Sequence, residues 1–407
     1  MTEATSAAAM PPSPFAGDDW FDPLEEAVRL QVRAFIEELL EEELRAALGR
    51  SRYEHERHGS AKGHRHGRRP RQLVTTFGPL ELSVPRARLR GGTGGREWKS
   101  ALLPAYKRLS PRAEALVAAA YLAGMNTRRV RRALEGLFAG KVGKDVVSRA
   151  WQRTRSAWAA GQARDLAGGD IVRLILDGTV VKVRLDKEAT AISLLIALGV
   201  RRDGQKVVLA IKNMGGESEA AWRQGLDDLT ARGMARPELV IVDGGKGFEA
   251  ALASLGDGVP VQRCTVHKER NLLAPAPKHR HDEIKADVAD MVRAKTGADV
   301  LAKRKAFLAK WRLRCRPVAT SLEEAGECLF TFLRDPPEQW RSLRTTNAIE
   351  RLHEEFKRRI KTRCLLPCAE TAAMLFWALL ASGQITLRKV DGWQSLAQPP
   401  AELDLAA

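Results

Sequence analysis

Cysteine is scarce in this chain, five in 407 residues. A count so low and odd excludes a disulfide framework and makes reduced thiols the expectation. No run of 18 apolar residues occurs, which excludes a membrane-spanning helix on pattern. The start, Met1-Thr2-Glu3-Ala4, has neither the basic nor the apolar region of a signal peptide. A cytosolic, nucleoid-associated location is the resulting expectation. What the chain has in excess is positive charge, a formal +17, which favours a polyanionic partner because each neutralised phosphate releases condensed counterions. Charge alone fits DNA, RNA or an anionic membrane. The length allows two or three domains, and 44% hydrophobic residues supply their cores.

The charge is unevenly spread. Residues 1–50 carry a net −7 and residues 51–90 a net +7, so an acidic helix precedes a basic arm. After a tail over 1–23, residues 24–50 place Leu24, Val28, Phe35, Leu39 and Leu44 at helical spacing, a helix that packs in its own domain or pairs two copies of the chain. The stretch from Ser51 to Arg71 is too polar to fold alone and reads as a phosphate-contacting arm carrying Arg65, Arg68, Arg69 and Arg71. Its histidines, His55, His58, His64 and His66, have no cysteine partners at zinc spacing and read as part of a solvated basic segment. Residues 72–90 alternate as a hairpin turning at Gly78-Pro79, closing a segment that runs to residue 108. Over 109–165 three helical patterns, Pro111–Ala123, Thr127–Phe138 and Lys144–Trp158, are arranged like a helix-turn-helix, with Asn126 and Gly143 at helix starts. The third offers Lys144, Arg149 and Arg153 to a major groove; an ordinary helical bundle with a basic surface is the alternative.

From residue 166 the pattern changes to strands. Ile171–Leu176 runs into Val180–Leu185, Ala191–Val200 follows, and Lys206–Lys212 returns across Asp203-Gly204. A helix over Glu217–Arg232 and the apolar run Leu239–Val242 come next. Three meandering strands, a helix and a further strand is the order of an α/β ribonuclease-H-like domain. Residues 166–264 form its first part, 265–340 a helical insertion, 341–395 its last part and 396–407 a tail. The helical region at 109–165 precedes it as a mainly helical nucleic-acid-binding region.

Within this order Asp177 ends one apolar run, Asp243 ends another, and Glu350 lies in Thr345-Thr346-Asn347-Ala348-Ile349-Glu350-Arg351-Leu352. Singly, Asp177-Gly178 and Asp243-Gly244 read as turns and Asn347 with Glu350 as a capping box. Jointly, two strand-end aspartates and a helical glutamate are a hard-oxygen set suited to a pair of divalent cations in phosphodiester chemistry. Arg351, Lys357, Arg358 and Arg359 follow Glu350 on the same predicted helix and supply phosphate-binding charge. Trp340, just upstream, suits either core packing or stacking on an unpaired base.

These motifs resemble the Mutator-type transposases, a group that includes many bacterial insertion-sequence transposases. The residues that carry the resemblance are Leu176-Asp177-Gly178-Thr179 with Val180-Val181-Lys182-Val183-Arg184, the pair Glu219 and Trp222, and Val242-Asp243-Gly244-Gly245-Lys246-Gly247. Gln262-Arg263-Cys264-Thr265-Val266-His267-Lys268-Glu269-Arg270-Asn271 and the Glu350 segment complete the set. The resemblance covers most of residues 25–395. It implies a DDE-type enzyme in which Asp177, Asp243 and Glu350 hold two Mg²⁺ ions, with Mn²⁺ as a substitute. It also implies action on double-stranded DNA, the terminal inverted repeats of a mobile element and its target. One departure is Gly245, where many relatives have histidine. Two ends handled together suggest a homodimer. The rival readings are a catalytically silent DNA-binding repressor and a nuclease of the same fold without strand transfer. Cys264 and His267, with Arg270 and Asn271, read as structural or DNA-positioning; the alternative of a zinc site would recruit Cys364 and Cys368.

Overall fold

The computed structural model describes residues 22–54, 62–91, 95–105, 107–123, 125, 127–141, 144–185, 188–213, 218–244, 251–256, 258–361, 366 and 368–401. The predicted helix starts at Asn126 and Gly143, and the glycine at 245, lie outside them. Two compact units divide at Arg153/Thr154. Among the described residues no helix is long and apolar enough to cross a membrane.

The first unit opens with α1 (Pro23–Leu48). Asp22 caps it by accepting from the Leu24 amide at 2.8 Å, and Gly49 ends it in the left-handed region. Leu40, Leu44 and Leu48 are buried, whereas Leu24, Leu30 and Phe35 are exposed. The packed face lies on a three-stranded antiparallel sheet of β1 (Gly63–Thr75), β2 (Gly78–Leu89) and β3 (Arg96–Glu97). The basic segment expected to be a free arm is therefore, from Gly63 on, a strand, and this unit is mixed rather than mainly helical. The physical reason is charge. Glu41 of α1 pairs with Arg65 at 2.7 Å and Arg68 at 2.9 Å, and Glu37 accepts from the Ser83 amide at 2.9 Å. The acidic helix neutralises the basic strand, and Leu73, Leu80, Leu82 and Val84 bury against Leu40.

The hairpin turns at Thr76-Phe77, not Gly78-Pro79, since Thr75 pairs with Gly78. The Thr75 hydroxyl organises that turn, accepting from the Phe77 amide at 3.1 Å and donating to the Gly78 carbonyl at 3.0 Å. Beyond it come α2 (Pro111–Leu122), α3 (Thr127–Ala133), α4 (Glu135–Phe138) and α5 (Lys144–Gln162), within which the two units divide. The second helical pattern is thus two short helices broken at Leu134. Val117, Val130, Phe138 and Val146 hold the cluster together.

The second unit is built on a five-stranded sheet ordered β6-β5-β4-β7-β8, where β4 is Ile171–Leu185, β5 Glu188–Arg201, β6 Lys206–Asn213, β7 Leu239–Val242 and β8 Val261–Arg263. The first three form an antiparallel meander, and β7 and β8 run parallel to β4. Nine consecutive residues of β5 are buried, as befits a strand covered on both faces. Helix α6 (Glu219–Ala231), capped by Ser218, lays Trp222, Leu226 and Leu229 on Leu195, Leu209 and Val240. Between β8 and the last core helices lie α7 (Thr265–Leu273), α8 (His281–Val292), α9 (Gly297–Arg314), α10 (Arg316–Ala325) and α11 (Trp340–Leu343). Helices α12 (Asn347–Ile360) and α13 (Ala369–Ala381) follow, with Phe356 stacked on Phe376 at 4.5 Å between ring centroids.

His353 on α12 is 6% exposed and packs edge-on against Phe376. Burial, and secondarily the charges of Lys357 and His267, push its pKa down to about 3. The unfolded chain takes up this proton near pH 6.5 and the folded chain only near pH 3, so stability is lost as pH falls through that window. At pH 5 this one group should cost about 2 kcal/mol. Urea unfolding at pH 7 and pH 5 should show a smaller acid-side loss for His353→Leu than for the native chain; equal losses would contradict this account.

Candidate active site

Asp177 does not end a strand. It lies inside β4, paired with Ile196 of β5, and Gly178 continues the strand opposite Leu195. What ends beside it is β7. The parallel register sets Leu174 against Val240 and Ile175 against Ile241; continued two residues, it brings Asp177 level with Asp243. Because β7 stops at Val242, the chain leaves the sheet there, at Gly244 with φ +91°. A Cβ at Gly244 would stand 2.5 Å from Arg263 Nε, so the left-handed backbone disfavours a side chain and one would also have to displace the Arg263 guanidinium. Asp177 therefore does not mark a turn.

Glu350 reaches the same place through Cys264. The Cys264 amide donates to the Val242 carbonyl at 2.6 Å, one residue before Asp243. Its sulfur accepts from the amide and hydroxyl of Thr346 at 3.4 and 3.5 Å, and Thr346 is the residue before α12. Thr265 adds two bonds to the Arg344 carbonyl, at 2.8 Å from its amide and 3.0 Å from its hydroxyl. The first turn of α12 is thereby fixed beside the end of β7, and Glu350 sits in that turn. No side-chain cap bond forms at α12, so the capping-box reading of Asn347 and Glu350 is overturned. The Glu350 carboxylate instead meets Arg270 at 3.0 Å and His267 Nε2 at 3.5 Å, both borne by α7.

The electrostatics tie the three carboxylates together. Asp177 is 4% exposed, and its pKa is pushed up to about 7, by burial first, with the charge of His267 opposing and those of Asp243 and Glu350 adding to the rise. His267 is raised too, up to about 9, which favours its charged form, driven mainly by the Cys264 thiol and then, against the cost of burial, by Asp177 and Glu350. The thiol dominates by proximity, although His267 Nδ1 makes no hydrogen bond of good geometry. For Cys264 burial works upward, but contacts from His267 and Thr346 leave it below the usual thiol range. Among the described residues no three acidic, histidine or cysteine side chains are drawn together at metal-ligand spacing, and Arg270 and His267 hold Glu350. The three side chains are all carboxylates, with Asp177 buried and Asp243 and Glu350 part-exposed, and oxygen donors of this kind suit a hard divalent cation. Cys368 is spoken for by Thr371, at 3.0 Å, and Cys364 lies outside the described residues.

The other predicted positions divide by surroundings. Arg65 and Arg68 are engaged by Glu41, and Arg71 donates to the carbonyls of Leu103 and Lys107 at 3.0 and 2.9 Å; these arginines hold the fold of the hairpin. Arg69 and Arg149 are exposed, Arg153 pairs with Glu114, and the Lys144 side chain lies outside the described residues. On α12, Arg351 and Lys357 are exposed, Arg358 pairs with Glu355 at 2.9 Å, and Arg359 donates to the Gln384 carbonyl at 3.0 Å. Trp340 is 7% exposed, donates to the Asp335 carbonyl at 2.7 Å and meets Phe332 edge-on; it is a packing residue and presents no face to a base. Sequence reasoning missed the exposed arginines of α3, Arg128 and Arg132 among them, although Arg-Arg-Val-Arg-Arg was legible as a charge run.

These features define an α/β protein in which Asp177, Asp243 and Glu350 are carried by two neighbouring parallel strands and the first turn of a returning helix. Residues 18–386 match the family described as transposase, Mutator family, and the chain belongs to that family. The chain is 31% identical over 350 residues to the transposase for insertion sequence element IS905 of Lactococcus lactis, covering 85% of this chain and 86% of that one. It is likewise 31% identical to the transposase for ISRM5 of Rhizobium meliloti, over 87% of each chain. With the transposase for IS256 of Staphylococcus aureus it shares 29% identity over 80% of this chain and 83% of that one.

Replacing Cys264 by alanine leaves the buried Thr346 amide without its acceptor and should cost about 2 kcal/mol. Cys264→Ser should recover part of that loss, because its oxygen can still accept, though from a shorter bond. Urea midpoints of the two variants measure this; an alanine variant as stable as the native chain would remove Cys264 from the role given to it.

Proposed function

We propose that this protein is a DDE-type DNA transposase that binds the terminal inverted repeats of its element, cuts the ends and joins the freed 3′-OH to target DNA. The observation that supports the reading is the strand register of β4 with β7 and the Cys264 link to Thr346, which set the elements bearing Asp177, Asp243 and Glu350 beside one another across 173 positions of sequence. The sheet order, with a three-stranded antiparallel meander, a helix and then parallel strands, supports a ribonuclease-H-like core. The helices between β8 and α12 have the place of an insertion into it.

In this reading Asp177, Asp243 and Glu350 hold two Mg²⁺ ions, for which Mn²⁺ can substitute. Bound metal supplies activation of an attacking water or 3′-OH and neutralises charge on the scissile phosphate. The chain's own groups do the rest. Arg270 and His267 keep the Glu350 carboxylate in place before DNA arrives, and the arginine, being 59% exposed, is free to turn to a phosphate when the carboxylate is needed. Arg351 and Lys357 on the open side of α12 attract the strand backbone, and the basic residues of the first unit, Arg69, Arg149 and the α3 arginines, contribute sequence-independent affinity. Two ends processed together call for two copies of the chain, acting at the nucleoid.

The test is Mg²⁺-dependent cutting and strand transfer on a labelled duplex carrying the terminal repeat that flanks the coding region. The native protein should give joined products, and Asp243→Asn should lower their yield by at least about a thousandfold, as expected when a metal-held charge at the reacting phosphate is removed. Specific binding with no cutting by either protein would favour the repressor, and nicking without joining the nuclease.

A further inference from the structure

Next to Asp243 the second unit carries a cleft of about 780 Å³ floored by Gly244 and Arg263 and walled by α7 and α10. Its charge does not balance. Arg263 and Lys268 are 5% and 3% exposed, and such buried cations are costly unless each is paired. Both are given to one carboxylate, Glu324, which meets Arg263 at 3.2 Å and Lys268 at 2.7 Å while itself remaining 53% exposed. Arg263 also donates to the Gly244 carbonyl at 3.1 Å, and its Nε is buried without a partner. A third cation, Arg316, stands exposed at the mouth with Asn271 and Thr320. Among the described residues Glu324 is the one carboxylate in the lining, against three cations.

We propose that this cleft is a phosphate site, and that it seats one backbone phosphate of the DNA strand passing the acidic centre. The inference rests on the transposase reading. A singly charged phosphodiester supplies the missing negative charge. Arg316 and the Asn271 amide at the mouth donate to it, and Thr320, on the face of α10 that lines the cleft, offers a hydroxyl. The site would thus fix the strand one or a few nucleotides from the scissile phosphate, on the wall that the helical segment builds. Contacts to phosphate position a strand without reading its sequence, so the cleft would set the place of the cut rather than the choice of repeat.

Neutral methylphosphonates placed singly along the terminal-repeat duplex test this with the full-length protein. Native protein should lose about tenfold in affinity at one position near the cut, the scale of one charge-assisted hydrogen bond. Thr320→Glu, which puts a carboxylate into the cleft from an exposed position, should bind the unmodified duplex more weakly and be indifferent to neutralisation at that position. Arg316→Ala should behave alike, and circular dichroism of both variants confirms their folding. An unchanged interference pattern in two folded variants would overturn the proposal while leaving cutting, and so the transposase reading, intact. If native protein neither prefers the repeat nor cuts it, that reading itself falls. A free-phosphate arm separates the sources: a thermal shift with inorganic phosphate, abolished by Thr320→Glu, but without any methylphosphonate effect, would assign the cleft to free phosphate and overturn the DNA assignment.

Discussion

The placement of Glu350 relative to Asp243 depends on the bonds around Cys264. The chain leaves the sheet at β8 and travels some eighty residues through α7 to α11 before returning as α12, and an excursion of that length specifies nothing by itself about where Glu350 arrives. One residue closes the loop. Its amide is held by the carbonyl before Asp243 and its sulfur by the residue before α12, so the second aspartate and the glutamate are referred to a common point. A thiol suits the task because sulfur is large enough to accept two donors at 3.4–3.5 Å while tolerating complete burial as a small hydrophobe. The same residue precedes α7, which carries His267 and Arg270 to the Glu350 carboxylate. Position and electrostatics of the glutamate are therefore set from one place.

That arrangement answers a problem the register creates. Bringing Asp177 level with Asp243 and adding Glu350 concentrates like charge where water is largely excluded, and Asp177 responds by holding its proton more tightly. The neighbouring cations, His267 and Arg270, offset the repulsion. They are positioned on a helix rather than a loop, which keeps the compensating charge fixed while leaving Arg270 at the solvent edge. A structural ion pair of this kind contributes little net stability at such exposure, so its value lies in where it holds the carboxylate.

How much of this was legible in the sequence follows the range of the interactions. The meander, α6 and β7 are readable because apolar periodicity records burial locally, and Asp177 and Asp243 stand out as polar residues after such runs, whereas Glu350 lies in a polar segment. The apolar run before Asp177 suggests a strand end, yet β4 continues and it is the neighbouring β7 that ends, a fact of pairing that no single segment carries. The basic stretch before Arg71 looked too polar to fold, because its neutralising partner, Glu41, is contributed by another element. The hairpin turn was misplaced by two residues, as a Thr75 hydroxyl outcompeted the Gly78-Pro79 signal. The buried pairing of Arg173 with Asp335 at 2.9 Å spans 162 positions and has no local trace at all.

The helical segment between β8 and α12 has a further structural consequence. Through Glu324 it is bonded to Arg263 and Lys268, the residues that flank Cys264 at the end of β8 and in the first turn of α7. Arg263 also bonds the Gly244 carbonyl, directly after Asp243. The segment is thus not merely tolerated by the core: it is fastened to the short stretch of chain from which both Asp243 and Glu350 take their positions. The second aspartate, the return of α12 and the helical segment are therefore held by one connected set of bonds rather than by three separate ones.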